Sequence, residues 1–418
     1  MKVTVRLVDP QSDVDLARTS VELDTNDVTA LRARVATEVA EFLRKQLGVQ
    51  VRLQEERASL ASGPAWLLLQ RAEKRHKDAD SLVAAGKAAE AQTALMQADS
   101  ILRSAQVLNR SGPAIPAARA RVALTSLRAL KGNDAGMRVA VDSGVAYANR
   151  ALAIDPRDAD ALEYKGQLLF AAHRAHLFAD PRRHAELVVA AESSLVHAVS
   201  VNKNQAGAWA TLSALYQRTD RFQLANSAAY NAYKVDAYLR SAKAVLTSLF
   251  LTSYNIEAFN DANQWCNEGR RRFPREPFFV QCRLYLYLSK YGAPNVDSAW
   301  TYAQAFTALT PEPQRPVATK VAGMFVAGAI TRAGLPDSAR RVILRSRALP
   351  IEDPRREVEG YEAIVRVMLN EQAEAVRLIE DYLTVNPDHR SGFASRTVWW
   401  WRDLQTNPRF QQLLAGAR

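Results

Sequence analysis

Residues 206–239, AGAWATLSALYQRTDRFQLANSAAYNAYKVDAYL, decide the fold of this chain. Large residues recur at helical spacing in the first half of the stretch, and alanines recur at helical spacing in the second half. The large residues are Trp209, Leu212 and Tyr216, and the small residues are Ala225, Ala229 and Ala232. Because two helices approach closely only where large side chains meet small ones, this pattern predicts an antiparallel pair with helices at 206–218 and 222–237.

The same residues carry a resemblance to a known family. Numbered within the 34-residue stretch, Trp209, Leu212, Ser213 and Tyr216 stand at positions 4, 7, 8 and 11, and Ala225, Ala229 and Ala232 stand at positions 20, 24 and 27. The stretch therefore resembles the tetratricopeptide repeat (TPR), a helix–turn–helix unit with this pattern. The resemblance implies a stack of helix pairs whose first helices line a concave groove.

The second-helix half of the pattern recurs along the chain. It is seen at Ala91, Leu95 and Ala98; at Gly144, Ala148 and Ala151; at Ala191, Leu195 and Ala198; at Ala262, Cys266 and Gly269; at Ala299, Ala303 and Phe306; at Ala339 and Ile343; and at Ala375, Ile379 and Tyr382. We therefore predict a mainly α chain, a TPR-like right-handed helical solenoid of about eight helix pairs over residues 64–390. Residues 169–190 are interpreted as the largest insertion between repeats.

The amino-terminal residues 1–48 follow a different pattern. Apolar residues alternate with polar ones at 3–7 and again at 17–23, which predicts two strands of a hairpin, and helical spacing at 31–47 predicts a helix that ends at Gly48. This is a small partial α+β segment of strand, strand and helix, followed by a linker at 49–63. Two strands and one helix are marginal alone, so we expect the segment to pair with more sheet from upstream or from another chain.

The two ends of the chain carry a second resemblance. The run Val5-Arg6-Leu7-Val8-Asp9 looks like the closing portion of the TolB-amino-terminal-like region found ahead of TPR arrays in bacterial signalling proteins. Residues 399–404, WWWRDL, and 407–411, NPRFQ, resemble the carboxyl ends of the same arrays. Family members often carry a serine/threonine kinase, adenylate cyclase or DNA-binding domain upstream. The resemblance thus implies a regulatory, protein-binding part of such a system.

The final residues 391–418 are predicted to be a Trp-rich capping segment. Consecutive residues on a helix point about 100° apart, so Trp399, Trp400 and Trp401 cannot all face one core. At least one of them is expected to cover the apolar face of the last repeat. A ring of indoles that binds a partner remains the alternative interpretation.

Composition and motifs argue against catalysis. The chain has 418 residues, of which 48% are hydrophobic, so it can form a sizeable core. Its net charge of +11 weakly favours acidic partners. It lacks a phosphate-binding glycine loop, a GxSxG elbow, an HExxH motif and the kinase catalytic motifs. We therefore predict no enzyme activity and no cofactor. The longest apolar run, residues 321–330, is about half the ~20 residues of a membrane helix, so no membrane span is expected.

Histidine, cysteine and basic residues are the remaining candidate sites. His173, His176 and His184 lie close together in sequence, but a solvated helix–loop–helix is favoured over a metal site. Cys266 is interpreted as a small buried apolar residue, and the two cysteines, Cys266 and Cys282, are expected to form no disulfide framework and to do no redox chemistry. The basic run at 71–77, RAEKRHK, is interpreted as a solvated face; no regular pair of base-reading residues recurs, so nucleic acid is not an expected partner.

The predicted function is recognition without chemistry. The chain is expected to be a scaffold that binds a peptide or protein segment in the groove of the solenoid. Alignment of the repeats places Gln217, Gln281, Tyr285 and Phe325 in the groove, with Arg218 and Lys320 close enough to meet an acidic group. The alternative is the regulatory half of a bacterial kinase or adenylate cyclase system whose catalytic domain is upstream or separate. The expected compartment is the cytoplasm, or the periplasm if the chain follows a membrane helix.

Overall fold

In the computed structural model, the described residues are 2–8, 15–22, 63–236, 242–394 and 398–415. They form strands β1 (Lys2–Val8) and β2 (Asp15–Glu22) and a long series of helices. The helices are α1 (Gly63–Ala84), α2 (Ala88–Leu108), α3 (Ala114–Ala129), α4 (Asp134–Ile154), α5 (Ala159–Arg174), α6 (Pro181–Val201), α7 (Ala206–Arg218), α8 (Phe222–Val235), α9 (Ala242–Asn255), α10 (Phe259–Arg272), α11 (Pro277–Leu288), α12 (Val296–Leu309), α13 (Arg315–Arg332), α14 (Pro336–Ser346), α15 (Glu357–Met368), α16 (Gln372–Val385), α17 (Arg390–Ala394) and α18 (Pro408–Ala415). Short 3-10 helices lie at Glu312–Gln314, Pro387–His389 and Trp399–Leu404.

The two strands pair antiparallel, with Lys2 opposite Glu22 and Leu7 opposite Ala17. The helix predicted at 31–47 and most of the predicted linker lie outside the described residues. The strand–strand–helix segment as a whole therefore stays a prediction.

Helices α1 to α16 form eight pairs, in which an odd-numbered first helix is followed by an even-numbered second helix. Helices joined by so short a turn can pack along their length only if they run antiparallel, and the helices of these pairs do pack on each other. In the pair α7/α8, the Ser213 hydroxyl donates to the Ala225 carbonyl oxygen at 2.8 Å. The described part of the chain thus contains the eight pairs that the sequence predicts. The right-handed sense of the stack stays a prediction.

A left-handed residue lies in the turn between the two helices of every pair. These residues are Gly86, Gly132, His176, Asp220, Glu257, Gly292, Gly334 and Asn370. A residue with positive φ just after a helix lets the chain close off the last carbonyls and reverse direction. Half of the eight are not glycine, so this common backbone shape is kept even where a side chain makes it unfavourable. The shared turn is a structural sign of the repeat that does not depend on the residue pattern.

Small residues of the second helices are buried, as the repeat pattern predicts. The fully buried ones include Ala91, Ala98, Ala148, Ala151, Ala191, Ala198, Ala225, Ala229, Ala232, Ala262, Ala299, Ala339 and Ala375. Trp209 of α7 packs against the cluster that holds Ala229 and Ala232. The prediction that large residues of the first helix meet alanines of the second is confirmed for this pair.

The chain divides into two compact units, residues 1–208 and 209–418. In the first unit, α1, α2 and α3 share an apolar cluster that includes Leu69, Leu95 and Ile115. Helices α3 to α6 share a second cluster. Residues 169–190, interpreted from the sequence as an insertion, are the end of α5, a short loop and the beginning of α6.

In the second unit, α13 is the central helix. Residues 321–330 are buried on every face, because α11, α12, α14 and α15 all pack on this helix. The longest apolar run of the sequence is therefore a core helix. Within the described ranges, no helix has both the length and the apolar character that crossing a membrane requires.

Candidate functional site

Four successive first helices of the second unit, α9, α11, α13 and α15, each contribute one aromatic side chain to a continuous row. Tyr254 of α9, Tyr285 of α11, Phe325 of α13 and Tyr361 of α15 form this row, which we call the aromatic array. Ring centroids are 5.5 Å apart for Tyr254 and Tyr285, 4.7 Å for Tyr285 and Phe325, and 4.8 Å for Phe325 and Tyr361. Such edge and tilted contacts between rings stabilise the stack beyond simple burial.

Hydrogen bonds connect the aromatic array through its hydroxyl groups. The Tyr254 hydroxyl donates to the Tyr285 carbonyl oxygen at 2.9 Å, and the hydroxyls of Tyr285 and Tyr361 lie 2.6 Å apart. Burial raises the pKa of Tyr285 to about 12 and raises the pKa values of Tyr254 and Tyr361 well above their usual value of 10. The three hydroxyls are therefore neutral at physiological pH and serve as hydrogen-bonding groups, not as bases.

The carboxyl-terminal segment reaches back to the pair α9/α10. The Trp399 indole nitrogen donates to the Tyr254 carbonyl oxygen at 3.1 Å. The rings of Trp399 and Trp400 each lie 5.6 Å from the Tyr254 ring, and Trp399 also lies 5.6 Å from Phe259. These contacts join residues 145 positions apart in sequence. They leave Tyr254 only 2% exposed.

The neighbouring tryptophan has a different role. Trp401 is buried and its ring lies 5.0 Å from that of Phe393. It shares an apolar cluster with Leu404, Phe410 and Ile379, so it covers the last helix pair, α15/α16. The three indoles therefore differ in their contacts: Trp401 packs on the final pair, Trp399 packs on α9/α10, and Trp400 packs on both.

An ion pair accompanies the indole contacts. Arg402 bonds to Glu257, the left-handed residue in the turn between α9 and α10. The hydrogen bond to Glu257 raises the pKa of Arg402 above its usual value. Both side chains keep contact with solvent, so this pair contributes little to stability but fixes the register of the segment.

The two cysteines correct an expectation from the sequence. Cys266 of α10 and Cys282 of α11 form a disulfide with 5.8 Å between the Cα atoms, and both are fully buried. The burial of Cys266 is as predicted, but the expectation that the two cysteines form no disulfide framework did not foresee this single bond. The sequence pattern placed Cys266 on the interior face of its own pair, while it gave no information on which residue of the next pair lies opposite.

The six groove residues predicted from the sequence lie on three first helices, α7, α11 and α13. Tyr285 and Phe325 are in contact, and Gln281 lies one turn before Tyr285 on α11. Phe325 is 1% exposed, so its ring lies beneath the surface that a partner could touch.

The other predicted groove residues lie elsewhere. Gln217 and the exposed Arg218 are on α7, where the Gln217 amide nitrogen donates to the Ser248 hydroxyl of α9. Lys320 donates to the Arg347 carbonyl oxygen at 2.7 Å and lies 3.5 Å from Glu352.

Sequence reasoning missed Tyr254, Tyr361 and the contacts of Trp399 and Trp400. A signal for Tyr361 was available: both Phe325 and Tyr361 lie nine residues before the left-handed residue that ends their helix. No comparable signal pointed to the Trp399 contact, since it joins distant repeats.

The basic run at 71–77 is divided between the surface and the interior of the first unit. Arg71, Lys74, Arg75 and Lys77 are exposed, as a solvated face predicts. The other polar residues of α1 face α3: Glu73 pairs with Arg121, and the His76 ring bonds to the Thr125 hydroxyl at 2.8 Å. Burial, followed by the charge of Arg121, lowers the pKa of His76 to about 4.

The three histidines around the α5–α6 turn gather their rings. The His184 centroid lies 3.9 Å from that of His173 and 4.9 Å from that of His176. The predicted helix–loop–helix is present, but His173, at the end of α5, is buried and not solvated as predicted. In the part of the chain that the structure describes, no three His, Cys, Asp or Glu side chains are arranged to hold a metal ion.

Comparison with known proteins gives similarity to helical-repeat structures. No protein-family model and no curated protein matches the sequence. Similar solved structures include a thermophilic TPR protein of Thermus thermophilus (15% identity, 51% of this chain and 98% of that chain, TM-score 0.37), yeast Tom70 (12%, 94% and 78%, 0.37) and a human IFIT1 dimer with m7Gppp-AAAA (13%, 94% and 86%, 0.39). At these TM-scores the helical-repeat architecture of this chain rests on its own helix pairs and shared turns.

Proposed function

We propose that this chain is a non-catalytic scaffold that binds a peptide or protein segment on the face lined by its first helices. The observation that carries the proposal is the aromatic array, in which one side chain from each of four successive first helices meets the next. Tyr285 and Tyr361 of this array are half-buried, and the buried rings of Tyr254 and Phe325 hold them in place, so a segment of another protein can contact both along the first-helix face. Aromatic residues supply most of the binding energy in many protein interfaces.

Polar residues of the same first helices would set the orientation of the partner. Gln217 and Gln281 are half-buried and offer amide groups, while Arg218 is exposed on α7. Lys320 is half-buried on α13 beside Glu352. A partner segment with an acidic group fits the two cations, and nucleic acid is not the proposed ligand.

Site-specific crosslinking tests this proposal. A photoreactive residue in place of Gln281 on the full chain is expected to capture a protein partner, and Arg218→Glu is expected to reduce the capture. The matched control is Arg345→Glu, since Arg345 is exposed on the second helix α14. Binding on the first-helix face would be contradicted if Arg218→Glu and Arg345→Glu reduced the capture equally, or if neither changed it.

A second candidate function rests on the ends of the chain. The resemblance of residues 5–9 and 399–411 to TolB-like and TPR-array termini favours a regulatory half of a bacterial serine/threonine kinase or adenylate cyclase system. In that case the bound protein would be the catalytic half. A catalytic domain encoded next to this chain, and its co-purification with the chain, would support this candidate; a neighbouring gene product that does not bind would remove it.

A further inference from the structure

The contacts of the carboxyl-terminal segment exceed what covering the last repeat requires. Trp401, Leu404 and Phe410 already bury the apolar face of α15/α16. Trp399 and Arg402 instead contact α9/α10, a pair that stands three pairs earlier in the chain, and Trp400 packs on both pairs. A terminal cap needs contact only with the pair that it covers. The additional contacts therefore have another role.

The surface that receives this segment has the composition of a peptide-binding site. Its wall consists of the rings of Tyr254 and Phe259, which enclose the Trp399 indole with edge contacts. The Tyr254 carbonyl oxygen accepts the indole hydrogen bond at 3.1 Å. Glu257 provides a carboxylate beside this pocket and pairs with Arg402. An aromatic pocket, one acceptor and one anion together select a tryptophan and a cation at fixed spacing.

The bound indoles are only half-buried, in contrast to Trp401. A side chain that is part of the folded core is enclosed from all directions, whereas a docked ligand keeps one side in solvent. Arg402 is likewise 54% exposed while it pairs with Glu257. The Trp399 and Arg402 side chains thus lie on the α9/α10 surface, and they can leave it while Trp401 stays in the core of the last pair.

We propose that the surface formed by Tyr254, Glu257 and Phe259 binds a protein segment that carries a tryptophan followed three residues later by an arginine. The chain's own Trp399 and Arg402 side chains occupy this surface until such a segment displaces them. The inference rests on the proposed function and specifies one partner chemistry for it. Because the internal segment is tethered, its effective concentration is of millimolar order. The apparent affinity of a partner is then its intrinsic affinity multiplied by the fraction of molecules in which the surface is open.

A labelled peptide with the sequence of residues 396–406, RTVWWWRDLQT, tests the inference on the full chain. Fluorescence anisotropy measures its affinity for the wild type, for Trp399→Ala and for Arg402→Glu. We expect Trp399→Ala to bind the peptide about tenfold more tightly than the wild type, since tryptophans at interfaces often contribute at hot-spot level. Arg402→Glu is expected to give about a threefold gain, which corresponds to an exposed ion pair.

Arg409→Glu is the matched control. Arg409 is 61% exposed in the same segment and pairs with Glu380 of α16, so its replacement changes the net charge equally and leaves the α9/α10 contact in place. We expect no gain in peptide affinity for this variant. Circular dichroism checks folding, and Arg402→Glu carries the test if Trp399→Ala does not fold.

A charge exchange identifies the site. In the Trp399→Ala background, Glu257→Arg is expected to weaken peptide binding, and a peptide with the R402E change is expected to restore it. Equal affinities for the wild type, Trp399→Ala and Arg402→Glu would overturn the inference. A wild-type dimer that Arg402→Glu dissociates would place the segment of a second copy on this surface and would also overturn it.

The peptide titration is independent of the crosslinking experiment. If no partner is captured at Gln281 while the peptide behaves as expected, the proposed groove function fails and the docking surface stands. If a partner is captured and the peptide shows no gain with the opened variants, the scaffold function stands and the inference about residues 399–402 fails.

Discussion

At the scale of single residues, the fold depends on alanines that allow two helices to approach. Ala225 is fully buried at the point where its carbonyl oxygen accepts a hydrogen bond from Ser213 of α7. Little space for a larger side chain remains at Ala225, because a side chain of α7 bonds directly to its backbone carbonyl oxygen. The sequence could identify these positions because small residues at helical spacing, in a chain otherwise rich in large apolar residues, mark the face where another helix packs closely.

We predict that Ala225→Leu destabilises the chain by about 1–3 kcal/mol, because the added carbons overpack the α7/α8 contact. Ala232→Leu is expected to act in the same way. Thermal unfolding followed by circular dichroism measures the effect. The control is Leu224→Ala at the adjacent, 49% exposed position of α8, which is expected to change little. Melting of Ala225→Leu at the wild-type temperature would show that the alanine contact is not tight.

The buried His76 predicts how stability depends on pH. Its pKa is about 4 in the folded chain, compared with 6.5 for the free side chain, because burial and Arg121 disfavour the charged ring. Asp80 and Glu73 act in the opposite direction, and Arg128 adds to the lowering. Between pH 6.5 and 4 the unfolded chain binds a proton that the folded chain does not bind. Stability is therefore fully present above about pH 6.5 and falls as the pH decreases to about 4, by at most about 3 kcal/mol.

We expect His76→Gln to weaken this dependence, since glutamine does not titrate and can still donate to Thr125. The measurement is the melting temperature of both proteins at about pH 7, 6 and 5, above the range in which most carboxyl groups become protonated. As the pH falls, the melting temperature of His76→Gln should increase relative to that of the wild type. Parallel curves would mean that His76 is not buried in its neutral form.

At the scale of helices and turns, prediction from sequence succeeds within a pair and fails between distant pairs. The pattern located all eight second helices, because each pair buries its own small residues. It did not locate the partner of Cys266 or the receptor surface for Trp399. Both depend on the rotation between successive pairs, and that rotation arises from packing details that no short residue pattern encodes. The burial of Phe325 was missed for the same reason, since α11 and α15 cover α13.

The disulfide between α10 and α11 gives a prediction at this scale. Peptide mapping of the unreduced protein should recover Cys266 linked to Cys282, and neither should react with an alkylating reagent before denaturation. Reduction, or replacement of both by alanine, should lower stability by about 3 kcal/mol, as for closure of a loop of about 15 residues. Reductant should not affect the double variant. Free thiols in protein purified from an oxidising compartment, where such bonds persist, would contradict the pairing.

At the scale of the whole molecule, a repeat architecture predicts that deletion of one end leaves distant helix pairs folded. Each helix pair contacts its neighbours, so stability is approximately a sum of local terms. In the first unit the terminal pair α1/α2 buries Ile115, Ala118 and Val122 of α3. This pair therefore protects the apolar face of the next one, while residues 1–48 precede α1 by more than ten positions.

Deletion of residues 1–48 should consequently leave most of the helicity intact, because it removes only the helix predicted at 31–47 and none of the helices α1 to α18. The measurement is circular dichroism at equal molar concentration, with the thermal midpoint recorded alongside. The matched comparison is deletion of residues 1–108, which also removes α1 and α2 and exposes the face of α3 that holds Ile115. That variant should lose helicity beyond the deleted helices and should aggregate, since a terminal repeat without its cap exposes apolar surface. If deletion of residues 1–48 alone abolished the helical signal, the amino-terminal segment would be part of the helical core, and stability could not be a sum of neighbouring pairs.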